Sequence, residues 1–348
     1  MRLQIIDFLK GYSIFTIVLF HLLQCFQLPG ILPQAINFGG AGVHVFILCS
    51  GFGLCLSQLN KPLNYFQFIR KRFLKIYVPY VIIIFVSVLL PFVYTNGDRL
   101  IALLSHLFLF KMFDEQLVSS FGTQFWFIST IIQFYLVFPI LFIIVKKHKS
   151  ILVIVISLSI SFIYATFVGF IGKSDLRIWN SFFLQYLWEF VLGMVLALKY
   201  KENQDFIRIP PVKYLIPLAI AGIAIVGFTG IKGGVLKLYN DVPSLVGYLC
   251  LALLLYSFGI KWINRFFTYT NAFSYEWYLV HILIFSCVFH FTKQLLPLYV
   301  SGALALSLSY AMAILYHKLI VRISVIEYTG SKKTGGYYLT QEAKEKLH

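Results

Sequence analysis

Ten apolar stretches recur along the 348-residue chain, each 17 to 23 residues long, and this repetition restricts the fold more than any other feature. A helix rises about 1.5 Å per residue, so each stretch is long enough to cross the hydrocarbon core of a bilayer. The stretches lie at 12–28, 41–58, 76–95, 124–145, 150–171, 179–199, 214–231, 242–259, 271–290 and 299–321. Apolar residues make up 59% of the chain and charged residues 12%, against about 45–50% and 25% in soluble domains. Because a backbone in lipid must satisfy its hydrogen bonds internally, the pattern predicts an all-α polytopic bundle of about ten transmembrane helices.

The positive charges predict the orientation of this bundle. Of the 29 Lys and Arg residues, 22 lie in the alternate segments that share a side with the N-terminus. This is the positive-inside bias, and it places both termini in the cytoplasm. Topology therefore explains the net charge of +16, and we expect membrane lipids rather than nucleic acid around the chain. The membrane domain is predicted at 1–325, with a short polar cytoplasmic tail at 326–348.

The first span carries an ionisable residue in its interior. His21 follows Lys10 by eleven residues, so on a helix the two side chains share a face, about 16 Å apart along the axis. With the span at 12–28, His21 is expected near mid-membrane, where ionisable groups are costly and commonly functional. The alternative is that His21 only hydrogen-bonds a neighbouring helix and holds the bundle together.

Two further spans place ionisable residues near mid-depth. Glu189 lies midway along the sixth span, and His281 lies near the centre of the ninth, on one face with Ser274 and Tyr278. Three such residues on three helices predict a polar chamber inside the bundle.

The fourth span carries polar side chains on one helical face: Trp126, Ser129, Thr130 and Gln133. Such a stripe either hydrogen-bonds neighbouring helices or lines a cavity. Both interpretations remain open from the sequence.

Small residues cluster in the second span. Gly51 and Gly53 permit close helix packing, or they let a substrate or the His21 helix approach the backbone. His44 lies near the predicted outer end of this span, and we expect it to be structural rather than catalytic.

A dense basic stretch precedes the third span, at Arg70, Lys71, Arg72 and Lys75. Such clusters anchor the cytoplasmic end of a span. They can also clamp the phosphates of a cytosolic ligand, since Arg offers bidentate donors to phosphate. The outer loop that follows contains a half-length apolar patch with His106, which is too short to span and is expected to be re-entrant or interfacial.

Five motifs in order resemble the acyltransferase-3 family of integral membrane enzymes that O-acylate cell-surface sugars. They are Ile6 to Gly11 followed by His21, Val45 to Phe52, Arg72 to Tyr80, Trp126 to Pro139, and Ser274-Tyr275 through His281. The resemblance spans about residues 5–285, and the ten-span topology agrees with it.

The chain departs from the family pattern at several positions. Lys10 and Lys75 stand where the family has Arg, so the charge is kept but bidentate geometry is lost. Ile131 and Ile132 stand where many members have adjacent Glu residues, so no acidic role is expected there.

The resemblance implies transfer of an acyl group, expected to be acetyl, from cytoplasmic acyl-CoA to a glycan hydroxyl, in the membrane of a bacterial cell. The phosphates of acetyl-CoA would lie near a basic set formed by Lys10, Arg70, Lys71, Arg72 and Lys75. His21 would be either the general base or a transient acyl carrier, and the chain would need no metal. Ser50, Gln133 or His281 would polarise the acyl carbonyl, and substrate contacts are expected from Trp126, Gln133 and Glu189.

A transporter or flippase of a lipid-linked glycan is the rival function, because buried polar groups also mark transport pathways. Transporters commonly show inverted repeats with broken helices in matching halves. The sequence shows no such symmetry.

Overall fold

The computed structural model describes residues 3–26, 39–95 and 97–333. Within these residues it contains thirteen α-helices, which are joined by short 3₁₀ turns and loops. No strand occurs among the described residues, so the all-α prediction is confirmed. The helices are α1 Gln4–Gln24, α2 Gly42–Asn60, α3 Tyr65–Leu89, α4 Arg99–Leu107, α5 Trp126–Lys147, α6 Ser150–Phe170, α7 Arg177–Asn180, α8 Leu187–Glu202, α9 Val212–Lys232, α10 Asp241–Ser257, α11 Lys261–Thr270, α12 Ser274–Thr292 and α13 Leu298–Lys333.

Among the described residues, eight continuous helical segments are long and apolar enough to cross a membrane. They are Gln4–Gln24, Gly42–Asn60, Tyr65–Leu89, Thr123–Lys147, Ser150–Phe170, Val212–Lys232, Lys261–Thr292 and Leu298–Ile323. The other two predicted spans correspond to α8 and α10, which are 16 and 17 residues long. The chain is therefore a multi-pass membrane protein, and two of its ten predicted spans are short helices.

Two helices begin well before the predicted spans. α1 starts at Gln4 rather than at residue 12, and α3 starts at Tyr65 rather than at residue 76. The start of α3 is fixed by a capping box, in which the Asn64 side chain accepts from the Gln67 amide. Hydropathy detects only the apolar part of a helix, and both helices also contain polar residues before that part. The basic stretch at residues 70–75 therefore lies inside α3.

Glycines set the position of α8 against α2. A Cβ on Gly51 would lie 2.1 Å from the Phe190 carbonyl oxygen, and one on Gly193 would lie 2.0 Å from the Leu48 carbonyl oxygen. The two backbones therefore touch, as small residues permit in membrane bundles. Of the two functions open for Gly51, close packing is the one observed.

The helices α1 and α2 run in opposite directions. Gly42, at the start of α2, lies against Ser13 and Thr16, whereas Gly53 lies near the amino group of Lys10. His21 therefore lies at the end of the bundle where α2 begins, which the charge bias predicts to be the outer end. The predicted loop at 29–40 falls largely outside the described residues, as does the tail beyond Lys333.

Candidate active site

The side chain of His21 is joined to that of His281. Nδ1 of His21 lies 3.0 Å from Nε2 of His281, and the two rings are stacked. Nδ1 of His281 lies 3.0 Å from the carbonyl oxygen of Trp277, one turn earlier in α12. The structure thus brings together two of the residues that the sequence singled out, 260 positions apart.

This chain of contacts assigns the tautomers of two neutral rings. A carbonyl oxygen only accepts, so Nδ1 of His281 carries the proton and its Nε2 is an acceptor. Nδ1 of His21 must then donate to that Nε2. The remaining nitrogen of His21, Nε2, keeps its lone pair, which is the form a general base or a nucleophile needs.

A cavity of about 540 Å³ adjoins His21. It lies at the C-terminal ends of α1 and α12 and the start of α13, and the residue Thr123 before α5 closes one side. Its polar lining consists of His21, Gln24, Cys25, Thr123, Ser286, Lys293 and Ser301. The volume is within the range of small-molecule sites, about 300–1,000 Å³.

The position of His21 along its helix differs from the sequence prediction. Because α1 begins at Gln4 and ends at Gln24, His21 lies in the last turn rather than in the middle of the helix. His281 is fully buried and lies near the middle of α12. It reaches the cavity only through His21, so its place is that of a positioning residue.

Lys10 and Ser50 lie farther toward the predicted inner end. The amino group of Lys10 lies 3.4 Å from the position of a Cβ on Gly53, in α2. The Ser50 hydroxyl donates to the carbonyl oxygen of Phe46, one turn back in its own helix. Ser50 is eight residues past Gly42, about 12 Å along the axis, so its hydroxyl does not lie beside the His21 ring.

The basic stretch divides into one inward residue and three exposed ones. Arg72 is half-buried, and its Nη2 donates to the Ser57 hydroxyl on α2 at 3.0 Å. Its Nε is buried and has no hydrogen-bond partner in the part of the chain that the structure describes. Arg70, Lys71 and Lys75 are exposed. Only Arg72 points from this stretch into the bundle.

Glu189 belongs to a second cluster and is not placed to contact a glycan. It is 0% exposed, and its Oε1 lies 2.7 Å from Nδ1 of His44. Nε2 of His44 in turn faces Oδ1 of Asp241 at 4.0 Å. The prediction of substrate contact for Glu189 is thus not supported, because neighbouring helices enclose the carboxylate.

The polar stripe on α5 mainly holds a loop. The Thr130 hydroxyl donates to the Ser181 carbonyl oxygen at 2.6 Å, and the Gln133 side chain accepts from the Phe183 amide. Trp126 differs, because it is half-buried and the Arg177 guanidinium lies 5.1 Å from its ring centre. Hydrogen bonding is therefore the function of Thr130 and Gln133, and Trp126 remains a candidate for sugar contact.

The whole membrane bundle can be compared with known proteins. A family model described as an acyltransferase domain matches residues 3–316, nearly the whole chain. The chain belongs to the acyltransferase-3 family. No curated protein and no solved structure matches it.

The structure shows the surroundings of two residues that depart from the acyltransferase-3 family pattern. Ile131 is buried in the core of the bundle, where an acidic side chain would need a partner. Lys10, in place of an Arg, is half-buried beside α2.

Two structural features described above could not be predicted from the sequence. The Trp277 carbonyl orients His281, and a backbone acceptor has no residue signature. Asp241 is the first residue of α10 and joins His44 and Glu189 from about 50 residues beyond the latter. A charged residue at the start of an apolar stretch ordinarily lies at the surface, so the sequence pattern does not predict a function for Asp241.

Proposed function

We propose that this acyltransferase moves an acetyl group from cytoplasmic acetyl-CoA to a hydroxyl of an exported or surface polysaccharide. The observation that carries the proposal is the tautomer of His21. Its Nδ1 is occupied by His281 while the ring, with a lone pair on Nε2, lines a cavity large enough for a sugar.

The acceptor hydroxyl would lose its proton to Nε2 of His21 as the oxygen attacks the thioester carbonyl. A carbon–oxygen bond forms, the carbon–sulfur bond breaks, and the proton passes from His21 to the departing thiolate. In the covalent variant, Nε2 of His21 attacks the thioester, the carbon–sulfur bond breaks, and CoA leaves as a thiolate that takes a proton from the cytoplasmic solvent. The acceptor hydroxyl then attacks the acetyl-imidazolium, the carbon–nitrogen bond breaks, and the hydroxyl proton is released to the outer solvent. Both routes need the same tautomer.

The donor would enter at the end of the bundle that carries Lys10 and Arg72. Arg72, which points inward, is suited to a phosphate oxygen, because its Nε has no hydrogen-bond partner among the described residues. From Lys10 to His21 the helix rises about 16 Å, a plausible reach for the pantetheine arm. Arg70, Lys71 and Lys75 add positive potential at the surface.

The acceptor would occupy the cavity from the other end. Sugar hydroxyls need hydrogen-bond partners, and the cavity offers side chains of Gln24, Thr123, Ser286 and Ser301. Trp126 would supply an apolar face for a sugar ring outside the cavity.

The test is transfer of label by the purified protein in liposomes. Acetyl-CoA carrying a labelled acetyl group is supplied on one side of the membrane, and candidate glycans on the other. We expect base-labile label on the glycan, formed only when the donor faces the basic stretch. Glycan that crosses the membrane without acquiring label would instead show a transporter.

The donor site has its own test. Arg72→Gln should raise KM for acetyl-CoA, because a phosphate would lose a charged donor. Lys147→Gln is the matched control, since Lys147 is an exposed cation at the same predicted end of the bundle. Equal KM values for both variants would remove Arg72 from the donor site.

A further inference from the structure

We propose that His44, Glu189 and Asp241 bind one divalent transition-metal cation, which ties together the ends of α2, α8 and α10. The three residues lie in the first turn of their respective helices. The site is separate from the His21 cavity and is not a part of the proposed acyl transfer.

The ligand atoms already have the spacing of a metal site. One atom from each of the three side chains can be chosen such that all lie within 4.8 Å of one another. Nε2 of His44 and Oδ1 of Asp241 are 4.0 Å apart, which is too far for a hydrogen bond. Two ligands at about 2.1–2.4 Å from a shared cation are separated by roughly this distance.

The remaining atoms of the same side chains are held in place by hydrogen bonds. Nδ1 of His44 pairs with Oε1 of Glu189, and Nε2 of Gln185 donates to Oδ2 of Asp241 at 2.7 Å. Such contacts orient ligands around protein-bound metals. The imidazole is turned so that Nε2 faces Asp241.

One oxygen in the cluster has no partner. Oε2 of Glu189 is buried and makes no hydrogen bond within the described part of the chain. A cation would satisfy the oxygen directly.

The charges in the cluster also favour a divalent ion. If both carboxylates are ionised beside a neutral imidazole, the cluster carries two negative charges, and Glu189 is fully buried. Buried charges are ordinarily paired or coordinate a metal. An ion of charge +2 brings the cluster to neutrality.

The donor set identifies the class of ion. Imidazole nitrogen with carboxylate oxygen suits Zn²⁺ or Mn²⁺, whereas Mg²⁺ and Ca²⁺ prefer sites made of oxygen alone. An ion can enter on the Asp241 side, where the side chain is 13% exposed.

The experiment measures bound metal in the purified full chain, prepared with an affinity tag that contains no histidine. The protein is stripped with EDTA, loaded with Zn²⁺ or Mn²⁺ and desalted, and the metal is counted by mass spectrometry. We expect about one ion per chain, and loss of that ion in Glu189→Gln and Asp241→Asn. Glu276→Gln is the matched control, because Glu276 is a buried carboxylate that pairs with His317 at 3.0 Å.

A second measurement needs no variant and so does not depend on whether the variants fold. The wild-type protein should unfold several degrees higher with Zn²⁺ or Mn²⁺ than in EDTA, because an ion that binds only the folded state stabilises it. Wild-type protein that retains no ion and shows no such shift would overturn the proposal. Equal metal in wild type, Glu189→Gln and Asp241→Asn would overturn it as well.

Discussion

His21 and His44 lie on neighbouring helices at the same end of the bundle, yet their surroundings differ. The ring of His21 contacts another imidazole and lines a cavity of about 540 Å³. The ring of His44 contacts the Glu189 carboxylate, faces Asp241 and is buried. One histidine therefore lines a space that a substrate can fill, and the other is enclosed by acidic partners.

The difference shows that the partner of a buried histidine decides what it can do. A histidine that donates to a neutral acceptor stays available for proton transfer. A histidine that hydrogen-bonds to a carboxylate is held in a fixed orientation, as histidine ligands of protein-bound metals commonly are. The residue type is the same for the two, and in the structure both lie near a helix end on the same side of the bundle. The partners are what distinguish them.

Replacing His21 should produce the largest effect. His21→Ala is expected to lower kcat for acetyl transfer by roughly 10²–10⁴-fold, the usual contribution of a general base. The unfolding temperature should change little, because the ring borders a cavity. Transfer of labelled acetyl to the glycan measures kcat, and a wild-type rate would remove His21 from the mechanism.

The matched control is His148→Ala. His148 is exposed beyond the end of α5, at the predicted inner surface. This variant should transfer acetyl at the wild-type rate. A loss as large as that of His21→Ala would show that histidine replacement acts through folding.

Replacing Glu189 tests the other side of the comparison. Glu189→Ala leaves Nδ1 of the buried His44 without its hydrogen-bond acceptor, and an unsatisfied buried donor costs about 1–3 kcal/mol. Glu276→Ala should cost less, because the side chains of Glu276 and His317 are 11% and 21% exposed. Unfolding of both variants in detergent measures the difference. Equal stability losses would contradict the distinction between an enclosed pair and a partly solvated one.

The fold was largely predictable because apolar length determines membrane helices. All ten expected spans correspond to helices, and the all-α class is correct. The helix starts were not predictable: α3 begins at Tyr65, since Asn64 caps a helix that contains the basic stretch. Hydropathy does not report caps. The short α8 was predicted as a full span because the apolar stretch from residue 179 continues through the turns that precede Leu187, and hydropathy does not distinguish a turn from a helix.

The candidate site was predictable in part. His21 and His281 were recognised as buried ionisable residues, and the structure joins them. Which residues pair across helices depends on helix rotation and packing, and a single sequence does not give these. The same depth argument grouped Glu189 with them, although Gly51 and Gly193 hold its helix tightly against α2.

Replacing His281 sharpens the comparison, because it changes the partner of His21 and leaves the cavity lining intact. His281→Leu removes the acceptor for Nδ1–H and should lower kcat by about 10–100-fold, as loss of an orienting partner does. KM should stay the same, since His281 touches no substrate. His281→Gln, which supplies a carbonyl acceptor, should recover part of the rate. If the two variants lose activity equally, His281 acts by packing alone.

A third histidine, His106 in the outer loop region, has neither a cavity nor a carboxylate. It lies fully buried in α4, its Nδ1 contacts the Tyr80 hydroxyl, and its Nε2 lies 2.9 Å from the Ser120 hydroxyl. Burial lowers the pKa of His106 well below its usual value, and the nearby Lys111 ammonium lowers this pKa further. The folded protein therefore holds this ring neutral at a pH where the unfolded chain binds a proton.

This depressed pKa gives the smallest predicted effect, a loss of stability in acid. Below about pH 6.5 the unfolded chain binds a proton at this histidine and the folded protein does not. Stability therefore falls as the pH falls, until the pH reaches the folded-state pKa. One group contributes at most about 1.4 kcal/mol per pH unit. Unfolding temperatures between pH 7.5 and 5 measure the slope, and His106→Gln, which retains hydrogen-bonding atoms, should have a smaller one. If the two slopes are the same, the acid sensitivity originates in other groups, and a buried histidine with only neutral hydrogen-bond partners adds none of it.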